Sequence, residues 1–171
     1  VEPFLARAYN ALGWHFGRAF GNYAIAGVEM ALWDLVGRAA GLPLCDLLGG
    51  RVRDAVEVMY FVYRDRPEVM CAEAARAVAA GFRCVYAKVG LDIEEDVEIV
   101  RALRAAVGDG VRLRIDANEA WSSGTAVRVI RALEPCDLEF VEQPVMAQDL
   151  AGLASVRRRV GTPICADQAA R

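Results

Sequence analysis

From residue 54 onward the chain repeats one pattern: a short apolar run suited to a strand, then an amphipathic stretch suited to a helix. "DAVEVMYFVY" reads as a strand, and "PEVMCAEAARAVAAG" as a helix with Pro67 in its first turn and Gly81 at its end. "FRCVYAKVG" is a second strand, and "DIEEDVEIVRALRAAVG" a helix opened by acids that suit its dipole. "VRLRIDAN" and "DLEFVEQP" are further strands separated by the helical "SSGTAVRVIRALEP". "DLAGLASVRRRVG" is a helix again, and "TPICADQ" a fifth strand. Alternation with such short connections implies parallel strands joined by right-handed crossovers. The predicted fold class is α/β, a (β/α) barrel of TIM type rather than a doubly wound sheet. No Gly-rich turn follows the first strand, as a dinucleotide or phosphate loop would require.

A closed barrel takes eight such units and about 250 residues. Five strands in 171 residues therefore make an incomplete barrel, about five of eight strands. An open five-strand sheet leaves unpaired edges, which natural folds avoid or cover. The expectation is a fragment, with completion by oligomerisation as the alternative. Ahead of this region, residues 22–40 predict a helix with Asn22 as its N-cap, an apolar stripe of Ile25, Val28, Leu32, Leu35 and Val36, and Gly41 as the C-cap glycine. "PLCDLLGG" adds a short helical turn, and residues 1–21 hold helix-like stretches broken by Gly13, Gly17 and Gly21.

Composition narrows the partners. Net charge is −3, the pI is about 5.3, and both signs are interleaved, so neither nucleic acid nor an anionic membrane is expected as a partner. "RRR" at 157–159 reads as a solvated helix end. Five cysteines, an odd count without a CxxC, argue against a disulfide framework or zinc site and for a reducing, cytoplasmic setting. No apolar run reaches the length of a membrane span.

Of the 20 basic residues, only Lys88 is a lysine. Arginine stays protonated in proteins, whereas a lysine can give up its proton and act as a base. Lys88 ends the second strand, Asp116 the third, Glu142 the fourth and Asp167 the fifth, at intervals of 28, 26 and 25 residues, one strand–helix unit each. In a parallel barrel all four reach the C-terminal rim, where active sites lie. Alternation puts Tyr86 with Lys88, Arg114 with Asp116, Phe140 with Glu142 and Cys165 with Asp167. A single rim acid is more often solvated or a helix cap, but three in register beside the sole lysine point to a site.

Converging carboxylates repel one another unless one is protonated or a cation joins them. Mg²⁺ suits an all-oxygen set and usually also takes substrate oxygens, whereas zinc suits His and Cys. An ion chelating a substrate carboxylate would stabilise the enediolate left when the α-proton leaves, and Lys88 would take that proton. His15, the only histidine, reads as a surface or packing residue, and Trp14, Trp33 and Trp121 read as packing residues.

The segments "GVEMALWDLVGRAAGLPLCDLLGG", "AKVG", "RIDANEAW", "FVEQP" and "PICADQ", in this order across residues 22–168, resemble the enolase superfamily, in its mandelate-racemase and muconate-lactonizing-enzyme branch. The resemblance implies Asp116, Glu142 and Asp167 as ligands of Mg²⁺ (or Mn²⁺), Lys88 as the second lysine of a Lys-x-Lys base motif, and Asn118 as a supporting residue. Tyr86 stands where the first lysine is common, and Gln168 where a glutamate is common. Residues 1–50 would be the end of an α+β capping domain with its linker helices, and 51–171 the beginning of the barrel. The implied intact protein is an isomerase or lyase of a small carboxylic acid (racemase or epimerase, cycloisomerase or dehydratase) and a homo-oligomer. Its second acid/base would come from later strands, so residues 1–171 alone are expected to be inactive. A Schiff-base aldolase using Lys88, or a non-catalytic truncated copy, are the alternatives.

Overall fold

The computed structural model describes residues 1–12 and 18–170, with side chains described for 1–10 and 22–170. The chain forms two compact units, Val1–Val56 and Glu57–Arg171. Trp14 and His15 lie outside the described residues.

The first unit is helical: α1 (Glu2–Leu12), α2 (Arg18–Ala40) and the single turn α3 (Leu44–Leu47). Helix α2 starts four residues ahead of the expected N-cap, so Asn22 lies inside it and is exposed. Gly41 ends it with φ +66, a left-handed conformation that costs glycine nothing. Of the expected stripe only Ile25 is buried; Leu32 is half-buried, and Val28, Leu35 and Val36 are exposed. Tyr23 and Met30 are exposed as well, so the apolar residues of α2 are spread around its circumference rather than gathered on one face. Trp33 is half-buried, and its Nε1 donates to Glu29 Oε1 at 3.3 Å, one turn away.

The second unit alternates as the sequence predicts: β1 (Tyr60–Val62), α4 (Pro67–Ala79), β2 (Cys84–Lys88), α5 (Ile93–Val107), β3 (Arg112–Asp116), α6 (Ser123–Leu133), β4 (Leu138–Glu142), α7 (Leu150–Arg159) and β5 (Ile164–Cys165). All neighbours are parallel and the spatial order is β1-β2-β3-β4-β5. A doubly wound sheet would reverse direction beside its first strand; this order runs one way only, as in a barrel wall. The class is α/β, an incomplete (β/α) barrel of TIM type. The edge strands pair on one side only, and both are shorter than their apolar runs suggest: β1 is three residues and β5 two.

Local signals start the helices. Asp92 accepts from the N–H groups of Glu94 and Glu95, Ser122 from Thr125, and Asp149 from Gly152. Each cap contributes about 1 kcal/mol. Helices α5 and α6 then bury Ile99, Val100, Leu103, Val127, Val129, Ile130 and Leu133 against the outward residues Val62, Val85, Ala87, Leu113, Ile115 and Val141 of the sheet. A fully buried aliphatic side chain contributes on the order of 1.5–3 kcal/mol, so this layer holds the strands in register. Trp121 joins that core at 4% exposure. Arg157, Arg158 and Arg159 are the exposed last turn of α7, where cations suit the helix dipole. All five cysteines are free thiols.

Candidate active site

Register builds the site. Lys88 pairs with Asp116, Asp116 with Glu142, and Glu142 with Cys165, so one row of the sheet ends in base, acid, acid. Directly registered residues of parallel strands point to the same face, here the face turned away from the helices. Strand β5 ends at Cys165, so Asp167 does not end the strand as the sequence predicts but lies two residues past it, in the bend before Gln168. One pleat deeper lies the row Phe61, Tyr86, Arg114, Phe140.

Asp116 is the best-held member, at 1% exposure. Its Oδ2 accepts from Lys88 Nζ and, at 2.8 Å, from Tyr86 Oη; its Oδ1 accepts from the Asn118 N–H at 2.8 Å. Three of a carboxylate's four or so lone-pair positions are thus used. Tyr86 Oη also lies 3.1 Å from Glu142 Oε2. Lys88 Nζ sits 5.8 Å from the Phe61 ring centre and 5.4 Å from that of Tyr86, so aromatic faces and one carboxylate confine the amine.

Burial raises the Glu142 carboxyl above the usual range, and the charges of Asp116 and Asp167 push it further, against the Tyr86 hydrogen bond and the Lys88 charge. Burial, the Asp116 hydrogen bond and the two carboxylate charges push the Tyr86 phenol far up, so it stays protonated. The three acids therefore sense one another electrostatically. Among the described residues, however, no three His, Cys, Asp or Glu side chains stand at single-ion spacing. An all-oxygen set whose middle member is raised by burial and by the charges of its neighbours fits a hard divalent cation, which would remove the repulsion.

Beside Asn118 and Gln168, residues that sequence reasoning did not single out hold this rim together. Gln143 is fully buried with φ +33; its Oε1 accepts from the N–H groups of Asp167 and Ala169, each at 3.0 Å, and its Nε2 donates to the Val145 carbonyl at 2.8 Å. It places the backbone of Asp167. Asn118 and Glu119 are consecutively left-handed, at φ +45 and +68, and strained backbone of this kind gathers at functional sites. Gln168 Nε2 donates to Asn118 Oδ1 at 3.1 Å, so the residue that departs from a common glutamate still ties the two rim loops. On the other flank, fully buried Asp96 accepts from the Gly90 N–H at 2.7 Å and from Arg64 Nη1 at 2.5 Å. Gly90 has φ +106, and a Cβ there would come within 2.6 Å of the Ala120 Cβ, so only glycine lets the loop after Lys88 press against the loop after Asp116. A cavity of about 290 Å³ beside Lys88 is lined by Arg64, Gly90, Leu91, Asn118 and Ala120.

Below the rim the inward face is charged. A register shift between Leu113 and Arg114 leaves Glu139 without a paired residue on β3. Glu139 accepts from Arg114 Nε at 2.6 Å and Arg112 Nη1 at 3.2 Å, and the Arg114 hydrogen bond chiefly holds its carboxyl below the usual range. A bulge has no signature in a strand read by alternation alone, and Gln143 offers only its place between a strand end and Pro144.

The sequence matches known families on both sides of the division between its units. Residues 69–171 match the family described as enolase C-terminal domain-like, and residues 6–49 the mandelate racemase / muconate lactonizing enzyme N-terminal domain. The L-Ala-D/L-Glu epimerase of Bacillus subtilis is 45% identical over 85% of this chain and 40% of its own length, and its substrate-liganded crystal structure superposes with a TM-score of 0.77 at 43% identity, over 83% of this chain and 40% of that one. The hydrophobic dipeptide epimerase of Enterococcus faecalis is 43% identical over 88% of this chain and 42% of its own. A racemase from Streptomyces coelicolor with bound magnesium superposes over 98% of this chain and 47% of its own, with a TM-score of 0.89 at 35% identity. Other relatives bear the names of a cycloisomerase and a dehydratase. This chain spans about two fifths of the length of the curated relatives it matches. Among the described residues no helix is long and apolar enough to cross a membrane. Matched on both segments and by relatives this similar, the chain belongs to the mandelate racemase and muconate lactonizing enzyme family of the enolase superfamily.

Proposed function

We propose that residues 57–171 carry the ion-binding carboxylates and one acid/base of an Mg²⁺-dependent isomerase or lyase that removes the proton α to a carboxylate, and that its substrate is a dipeptide, epimerised at that carbon. Residues 1–50 belong, in this reading, to a capping domain, and 51–171 to the start of the barrel. The carrying observation is the registered row Lys88, Asp116, Glu142, with Asp167 in the bend that follows β5. The dipeptide rests on relatives named as a hydrophobic dipeptide epimerase and an L-Ala-D/L-Glu epimerase.

Lys88 acts as an amine whose lone pair receives the α-proton; its hydrogen bond to Asp116 and the rings of Phe61 and Tyr86 hold Nζ in one place, which makes the transfer effectively intramolecular. Asp116, Glu142 and Asp167 would hold the ion, Mg²⁺ by preference and Mn²⁺ as its substitute. When bound, that ion would offset the negative charge growing on the substrate carboxylate. Gln143 holds the Asp167 backbone through its Oε1, which accepts from the Asp167 N–H.

The test is exchange of the α-proton of L-Ala-L-Glu for solvent deuterium, followed by NMR, with the intact gene product and Mg²⁺. Lys88→Ala is expected to slow exchange by about 10³-fold, within the range of a general base. Exchange at the wild-type rate in that variant would remove Lys88 from the chemistry. Trapping of a Lys88 adduct with borohydride would instead favour the Schiff-base alternative.

A further inference from the structure

Tyr86 places one phenol between two carboxylates, and the reaction as proposed gives that hydroxyl no step. We propose that Tyr86 is a positioning residue: its hydroxyl clasps Asp116 to Glu142 and so sets the spacing at which the two can share one divalent cation. This rests on the ion-binding role proposed for those acids.

The register explains the reach. Tyr86 lies one pleat below the row Lys88, Asp116, Glu142 and on the same face, so a long side chain at this position extends up between the strands that carry the two acids. Its Oη is 2.8 Å from Asp116 Oδ2 and 3.1 Å from Glu142 Oε2, close enough for one proton to serve both. The residue is 5% exposed, and its ring packs on Phe61 at 5.4 Å between centroids, which keeps the hydroxyl from swinging aside. Asp116 has two further ties, from Lys88 and from the Asn118 backbone. Among the described residues, the bond from Tyr86 is the side-chain hydrogen bond that holds the Glu142 carboxylate.

A neutral donor suits this task for a reason of charge. A cation between the acids would cancel part of the field that draws in a divalent ion, whereas a phenol draws the carboxylates together and leaves their charge in place. A tyrosine that only fills space would contribute through its ring, and loss of its hydroxyl would leave ion binding as it was.

The experiment is calorimetric titration of the intact gene product with Mg²⁺, comparing wild type with Tyr86→Phe, which keeps the ring, and with Tyr63→Phe, which removes an exposed hydroxyl from the neighbouring strand end. Tyr86→Phe is expected to bind Mg²⁺ about tenfold more weakly, the order that a charge-assisted hydrogen bond supplies, and Tyr63→Phe to bind as wild type does. A second readout needs no substitution: Mg²⁺ should perturb the ultraviolet absorbance of a buried tyrosine in the wild-type protein. Equal or tighter binding by Tyr86→Phe, or a wild-type spectrum that Mg²⁺ leaves unchanged, overturns the clasp while leaving the proposed function standing. A wild type that does not bind Mg²⁺ at all overturns that function and the clasp with it.

Discussion

The two faces of the parallel sheet are made by the same strands and have opposite characters. Toward the helices lie Val62, Val85, Ala87, Leu113, Ile115 and Val141, all fully buried. Toward the other side lie Phe61, Tyr86, Lys88, Arg112, Arg114, Asp116 and Glu142, joined there by Glu139. Adjacent residues of one strand thus answer to different demands. The helix side is aliphatic because it excludes water, which supplies the folding free energy. The other side holds charges that would be costly unless paired, and each of them is paired or clustered at the rim. Stability and chemistry are therefore separable here by strand parity, in a way that substitutions can test.

The largest stability effect should come from the helix side. Leu103→Ala opens a cavity in the fully buried layer under α5 and is expected to cost about 2–5 kcal/mol, measured by urea unfolding of the intact gene product. Mg²⁺ affinity of the folded fraction should stay at the wild-type value; a parallel loss of affinity would show that the two faces are coupled. Gln143→Leu tests the border between them. It leaves the Val145 carbonyl and the N–H groups of Asp167 and Ala169 without their partner, and an unpaired buried group costs about 1–3 kcal/mol. Here stability and Mg²⁺ affinity should fall together, and a change in stability alone would assign Gln143 a packing role. Asp92→Ala removes the N-cap of α5. It should cost about 1 kcal/mol and leave α-proton exchange per folded molecule unchanged.

Much of this was legible in the sequence, unevenly. Strand and helix order in the second unit follow from apolar runs of the right length bounded by Pro67, Gly81, Asp92, Gly108 and Ser122. These signals are local, acting through backbone conformation and caps. The intervals of 28 and 26 residues put Lys88, Asp116 and Glu142 at the ends of adjacent strands because each interval is one complete crossover, whereas Asp167 lies two residues past the end of β5. Signals that depend on a neighbour were missed. The limits of β1 and β5 depend on which residues find a pairing partner at the sheet edges. Helix α2 begins at Arg18 and shows most of its expected stripe to solvent, because burial is set by what packs against a helix rather than by its own pattern.

The sequence by itself determined the α/β class, the parallel succession of strands and the residues that end β2, β3 and β4, since periodicity and spacing belong to the chain, while its motifs carried the resemblance to the family. The tertiary structure alone decided who touches whom: the Tyr86 hydroxyl between Asp116 and Glu142, Gln143 on the Asp167 backbone, Asp96 on Gly90, and Glu139 turned inward by a bulge. Each of these is a hydrogen bond or ion pair whose geometry tolerates only a few tenths of an ångström. That tolerance is met only once strands from distant parts of the chain have settled into one register.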